Sequence, residues 1–271
     1  MPGNGLSPPA ALVRRADPDR FLAALFAPSD RREALMLLYA FNHELARASE
    51  VASEPTLALI RLQWWREVVE GARRRHEIAG PLGEAIAAGT LPAAELAMLV
   101  DAREAETAPD FATLADWMAH VRATAGALAK VAGMLLGADG AVLARLEGLG
   151  TAYGVVGQMR NVAALARQGR CLLPRDLLAR HGLSTAAVAA RPDDRHLAGL
   201  YGELAALARG VLRDHGGHLP RPALVAALPA ALARRDLSRS DRRSVGGPPV
   251  GGPRGFADKA AVLAAFLLAR V

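Results

Sequence analysis

Three glutamates, Glu44, Glu50 and Glu54, are the acidic groups whose spacing bears on chemistry. Carboxylates four residues apart on a helix share a face and can hold a hard cation such as Mg²⁺ through oxygen. Glu44 and Glu50 are six apart and point to different faces. Glu50 and Glu54 have the right spacing, but Pro55 marks the end of the helix that would present both. The three read either as a rearranged, one-sided metal site or as solvated, ion-paired surface acids. His215-Gly216-Gly217-His218 offers two ligating side chains without a third ligand, and its paired glycines favour a turn between helices. Trp64-Trp65 reads as a core tryptophan beside a half-exposed one, or as an interfacial anchor. Arg73-Arg74-Arg75 and the arginines of 238–254 read as solvated charged faces, or as contacts to anionic lipid. The sequence has neither a glycine-rich phosphate loop of Walker type nor a nucleophile elbow.

The elements that position these groups are helical. Asp17-Pro18-Asp19-Arg20 starts a helix that runs to about Phe26, with an acidic cap and proline in the first turn. From Arg31 to about Ser53, Leu35, Leu38, Tyr39, Asn42, Leu45 and Ala46 recur at helical spacing. Pro55 restarts the chain, and Leu59, Leu62, Trp65 and Val69 line one face of a helix to about His76. Further helices are predicted at about 81–88, 92–106, 111–136, 138–168, 174–182, 195–214, 220–236 and 257–270. Residues 1–16 read as a flexible lead before one domain over 17–271, and the Arg-, Gly-, Pro- and Ser-rich stretch 238–255 as a mobile loop. With no strand pattern and mostly short connections, the expectation is all-α: a single large helical bundle.

Composition bounds the function classes. The chain has 271 residues, 52% hydrophobic and 22% charged, enough for one large domain with a buried core. Its 33 basic and 27 acidic residues give +6, which suits phosphorylated ligands or anionic membrane and selects neither. No nucleic-acid module accompanies that charge, so no nucleic-acid partner is expected. Cys171 is the single cysteine, which excludes an internal disulfide and a cysteine-based metal cluster. The first twenty residues hold no secretory apolar run. The stretch Ala260 to Ala269 falls short of the roughly 20 residues a membrane span needs. A cytoplasmic protein is expected, with the periphery of the inner membrane as a further placement.

Several ordered segments together resemble the squalene/phytoene synthase family. They are Leu37-Leu38-Tyr39-Ala40-Phe41, Trp65-Arg66-Glu67, Leu99-Val100-Asp101, His120-Val121-Arg122-Ala123-Thr124-Ala125-Gly126, Gln158-Met159-Arg160-Asn161, Gly169-Arg170-Cys171-Leu172-Leu173-Pro174 and Arg221-Pro222-Ala223-Leu224. The resemblance implies an isoprenoid synthase-like bundle around a central cavity. It also implies head-to-head joining of two prenyl diphosphates, with Mg²⁺ held between two Asp-x-x-x-Asp motifs. Both motifs are missing here. Ala46 and Arg47 stand in the first, where only Glu50 is acidic. In the second, Val162-Ala163-Ala164-Leu165-Ala166-Arg167-Gln168 carries no carboxylate and is shorter by about one helical turn.

The site that this resemblance leaves is basic and polar: Tyr39, Arg47, Arg122, Gln158, Arg160, Asn161, Arg167 and Arg170. Arginine binds phosphate directly through a bidentate fork, so such a site can take an anionic head group without metal, with an isoprenoid or lipid tail in apolar depth. The same arginines read equally as surface charges of amphipathic helices. Asn42, Glu44-Leu45-Ala46-Arg47, Glu50, Glu54-Pro55 and Arg61-Leu62-Gln63-Trp64-Trp65 resemble the branch of the family that includes a mitochondrial assembly factor for respiratory complex I. That likeness implies a non-catalytic protein without a cofactor, with a lipid ligand or a protein partner in membrane complex assembly. The alternative is an active condensing transferase using Mg²⁺ at Glu44, Glu50 and Glu54.

Overall fold

The computed structural model describes residues 5–50, 54–108, 110–192, 194–241 and 254–271. Among them the chain forms fourteen α-helices and no strand beyond a single bridge between His218 and Arg270. In order these are α1 (Pro8–Ala16), α2 (Pro18–Ala24), α3 (Ser29–Glu50), α4 (Pro55–Val69), α5 (Ala79–Ala87), α6 (Ala93–Ala102) and α7 (Leu114–Val121). Then follow α8 (Ala127–Leu135), α9 (Gly140–Ala166), α10 (Arg175–Arg180), α11 (Thr185–Ala190), α12 (Ala198–His215), α13 (Arg221–Asp241) and α14 (Phe256–Leu267). A π-helical turn, Arg122–Gly126, joins α7 to α8.

Local chemistry explains the boundaries. Ser7, Asp17, Thr113 and Ser184 each accept a backbone N–H in the first turn of the helix they precede. Gly71 takes φ +108° and ends α4 well before His76, because the left-handed region there favours glycine. The short helix α11 lies in a stretch where no helix was predicted; six residues with one buried valine, Val188, give too little periodicity to read.

Two expectations need correction. Residues 8–16 are not a flexible lead. Capped by Ser7 and started by Pro8, they form α1, bury Ala10 and Val13, and pack on α3. Residues 238–241, assigned to a mobile loop, are the last turn of α13, where the Ser238 hydroxyl donates to the Arg234 carbonyl. Arg254 and Gly255, at the other end of that stretch, are fixed by hydrogen bonds; the rest of it lies outside the described residues.

The long helix α9 runs through the middle, packed against α8, α12, α13 and the π-turn. Its approach to the π-turn depends on small residues. A Cβ on Gly150 would lie 2.6 Å from the Ala125 carbonyl, and one on Gly154 would lie 2.6 Å from the Ala125 Cβ. Trp117, Tyr39, Tyr201 and Phe41 are the largest fully buried side chains of the surrounding core. The turn 215–218 forms between α12 and α13 as its glycines suggest. Arg145 of α9 donates to the carbonyls of His215, Gly216 and His218 there.

Candidate functional site

Where α9 faces the start of α2, α3 and α13, a polar cleft of about 340 Å³ opens. Its floor is ionic. Asp19 enters from α2 and Asp236 from α13, and both are buried. Arg254 joins them. Its Nε and Nη2 donate to the two oxygens of Asp19 at 2.8 and 2.6 Å, and its Nη1 donates to Asp236 at 2.7 Å. Arg160, from α9, donates to the other Asp236 oxygen at 2.9 Å and lies 3.7 Å from Asp19. The Tyr153 hydroxyl donates to Asp19 at 3.1 Å. Burial alone would lower the Arg254 pKa; its hydrogen bonds to Asp19 and Asp236 outweigh that and raise it.

Beside this lattice Arg20 is held by Asp17, which also caps α2, and lies over the rings of Tyr153 at 4.9 Å and Tyr39 at 5.8 Å. A cation on an aromatic face gains electrostatic stabilisation when desolvated. Burial raises the pKa of both tyrosines. Below the cleft, between Arg20, Tyr39, Tyr153 and Pro229, the open space shrinks to about 10 Å³.

Behind Arg103, which lines the cleft, lies a second buried charge. Glu106 accepts from Arg103 at 2.6 Å and from the Ser49 hydroxyl at 3.3 Å, and it lies 3.1 Å from His120 Nε2. Burial alone would raise its pKa. Arg103 and His120 outweigh burial and bring it down to about 2. Arg103 also donates to Asn42 at 2.9 Å and lines the cleft beside it.

The residues singled out from the sequence divide between places. Gln158, Arg160 and Asn161 line the cleft, and Tyr39 lines the small space beneath it. Arg47 lies in a separate cleft of about 270 Å³ with Glu44, Arg61, Trp64 and Trp65, and it pairs with Glu44. Arg122 is exposed on the π-turn and donates to Glu147 of α9. Arg170 acts as a clamp, donating to the carbonyls of Ser49 and Glu106. Arg167, Glu50 and Glu54 are exposed. Partial desolvation, and then the charge of Glu106, raise the Glu50 pKa. None of the three glutamates lines the cleft.

Sequence reasoning missed Asp19, Arg20, Arg103, Glu106, Tyr153, Asp236 and Arg254. Asp19 read as part of a helix start and Asp236 as an amphipathic position. Arg254 and Asp19 are 235 residues apart, so no local pattern could pair them. Among the described residues no three His, Cys, Asp or Glu side chains gather as a metal-binding group. The cleft aspartates face guanidinium groups, and this donor set does not fit a Mg²⁺ cluster, which needs carboxylate oxygens free to coordinate.

Residues 13–244 match the family model for squalene/phytoene synthase. The chain belongs to the squalene/phytoene synthase family. Solved structures of that kind share its fold. A dehydrosqualene synthase in complex with ligand superposes with a TM-score of 0.75 over 96% of this chain and 94% of its own, at 14% identity. Squalene synthase from Alicyclobacillus acidocaldarius gives 0.67 over 95% and 91%, at 18% identity. In sequence the chain is similar to the human NADH dehydrogenase (ubiquinone) complex I, assembly factor 6, at 27% identity over 82% of this chain and 68% of that protein. It is also similar to phytoene synthase of Cereibacter sphaeroides, at 36% identity over 47% of this chain and 35% of that protein. Within the squalene/phytoene synthase fold, then, arginines neutralise the carboxylates that reach this cleft. No described helix is long and apolar enough to cross a membrane.

Proposed function

We propose that this chain is a non-catalytic squalene/phytoene synthase-like protein that assists assembly of a membrane respiratory complex, as the name of its human relative indicates for that protein. In this reading its cleft receives the head group of a lipid or isoprenoid. The observation that carries the proposal is the Asp19–Arg254–Asp236–Arg160 lattice. Ionising a prenyl diphosphate needs Mg²⁺ acting as a Lewis acid on the leaving group. Here the buried carboxylates already have cationic partners at hydrogen-bond distance, and displacing a buried arginine would leave its charge unpaired at a cost of several kcal/mol. The volume of the cleft is near the low end of the roughly 300–1,000 Å³ typical of ligand pockets, which suits a head group better than two prenyl chains. Deleting the gene and following assembled complex I on native gels tests the assembly role. A deficit restored by the wild-type gene supports it, and normal assembly in the deletion strain removes it.

A second reading is a condensing transferase. It is favoured by the aspartates Asp17, Asp19 and Asp236, which do line the cleft. It requires the arginines to withdraw when Mg²⁺ and substrate enter.

A further inference from the structure

The last helix is apolar on both sides. Its inner face buries Val262 and Ala265 against α13, and it also buries Asp258, which accepts from Arg235 and Arg239 of α13. Its outer face carries Phe256, Ala257, Ala260, Leu263, Ala264, Leu267 and Leu268, all exposed. At 100° per residue these positions form one continuous arc. Phe256 is 87% exposed, Leu267 59% and Leu268 72%. A helix that is apolar all round belongs in an apolar setting on every side, and here one side faces water.

The charge around the arc selects its occupant. The exposed charged side chains of α14 and the residues after it are Lys259 and Arg270, both cationic. The one acid of the helix, Asp258, is turned inward and paired. Arg221, exposed at the start of α13, lies over the Phe266 ring at 5.8 Å. An apolar arc with a cationic rim and no exposed acid is the pattern of a helix lying in the plane of a membrane interface, its apolar face at the acyl boundary and its cations at anionic head groups. We infer that the outer face of α14 docks this protein on an anionic lipid surface. The inference stands on α14 and the cations beside it, and it holds whether or not the cleft is catalytic.

The test is co-sedimentation of the full chain with phosphatidylcholine vesicles, with and without phosphatidylglycerol. The wild type should bind the anionic vesicles, and added salt should weaken the binding as it screens the cationic rim. Replacing Leu263, Leu267 and Leu268 together by serine should cut partitioning by about tenfold or more, because these side chains supply much of the apolar contact. Those positions are exposed, so circular dichroism should be unchanged. As a second variant, Lys259→Glu should weaken binding to anionic vesicles only. Three outcomes overturn the inference. They are no binding to anionic vesicles, binding by the triple serine variant equal to wild type, and loss of binding through Arg73→Glu with Arg75→Glu instead. A concentration-dependent dimer in ultracentrifugation that the triple variant abolishes, without vesicle binding, would assign the face to a second copy and likewise overturn it.

Discussion

Arg254 bridges two buried aspartates that come from helices far apart in the chain, so its removal has a defined cost. Arg254→Ala leaves Asp236 paired with Arg160 and Arg239, and leaves Asp19 with the Tyr153 hydroxyl and a more distant Arg160. Breaking a buried ion pair from one side costs about 3–5 kcal/mol, and urea unfolding at neutral pH should show a loss of that order. Adding Asp19→Asn to the Arg254→Ala variant should recover part of it, since Asp19 is the carboxylate that loses both close guanidinium bonds; a double variant less stable than the single would contradict the lattice. Glu106 gives a pH prediction. Its pKa falls from the ordinary 4.5 to about 2 on folding. A depressed carboxylate contributes stability above its unfolded pKa, and that contribution is lost as pH falls through the folded one. Wild type should therefore lose on the order of 3 kcal/mol from this group between about pH 5 and pH 2. Glu106→Gln should be less stable than wild type at neutral pH, and the gap should close on acidification. A gap independent of pH would remove the charge from the explanation.

At the scale of elements, the π-turn and α9 meet through glycines. Gly150→Ala gains helix propensity of up to about 1 kcal/mol. It also drives a Cβ toward a backbone carbonyl that cannot step aside. The steric term should win, with a net loss of about 1–3 kcal/mol. Thermal unfolding would detect that loss, and an unchanged or raised Tm would mean that the two helices part easily there. Most helices were legible because their apolar stripes are long and their boundaries are written in Gly and Pro, as at Leu91-Pro92 and Gly137; Gly80-Pro81, read as a break, lies inside the first turn of α5. The short ones were not. Nine residues of α1 and six of α11 hold too few periods, and both depend on docking against longer helices. The end of α4 was misplaced because Gly71 takes a left-handed φ that the following Arg73-Arg74-Arg75 run conceals.

The whole molecule keeps the squalene/phytoene synthase architecture and fills the floor of its cleft with ion pairs. Of the site, the segment from Gln158 to Asn161 was legible, because it sits on one long helix and three of its side chains reach the cleft. The arginines did not gather as one pocket. Arg122 and Arg170 have partners elsewhere, and Arg47 belongs to another cleft. The lattice itself was invisible because its members meet only when α2, α9, α13 and the start of α14 come together. The most direct test is to incubate the purified chain with labelled farnesyl and geranylgeranyl diphosphates, Mg²⁺ or Mn²⁺ and NADPH, beside a working synthase in the same buffer. We expect no condensed product from the folded protein while the control turns over. Condensed product that disappears in folded Asp19→Asn or Asp236→Asn variants would contradict the non-catalytic reading and make those aspartates metal ligands.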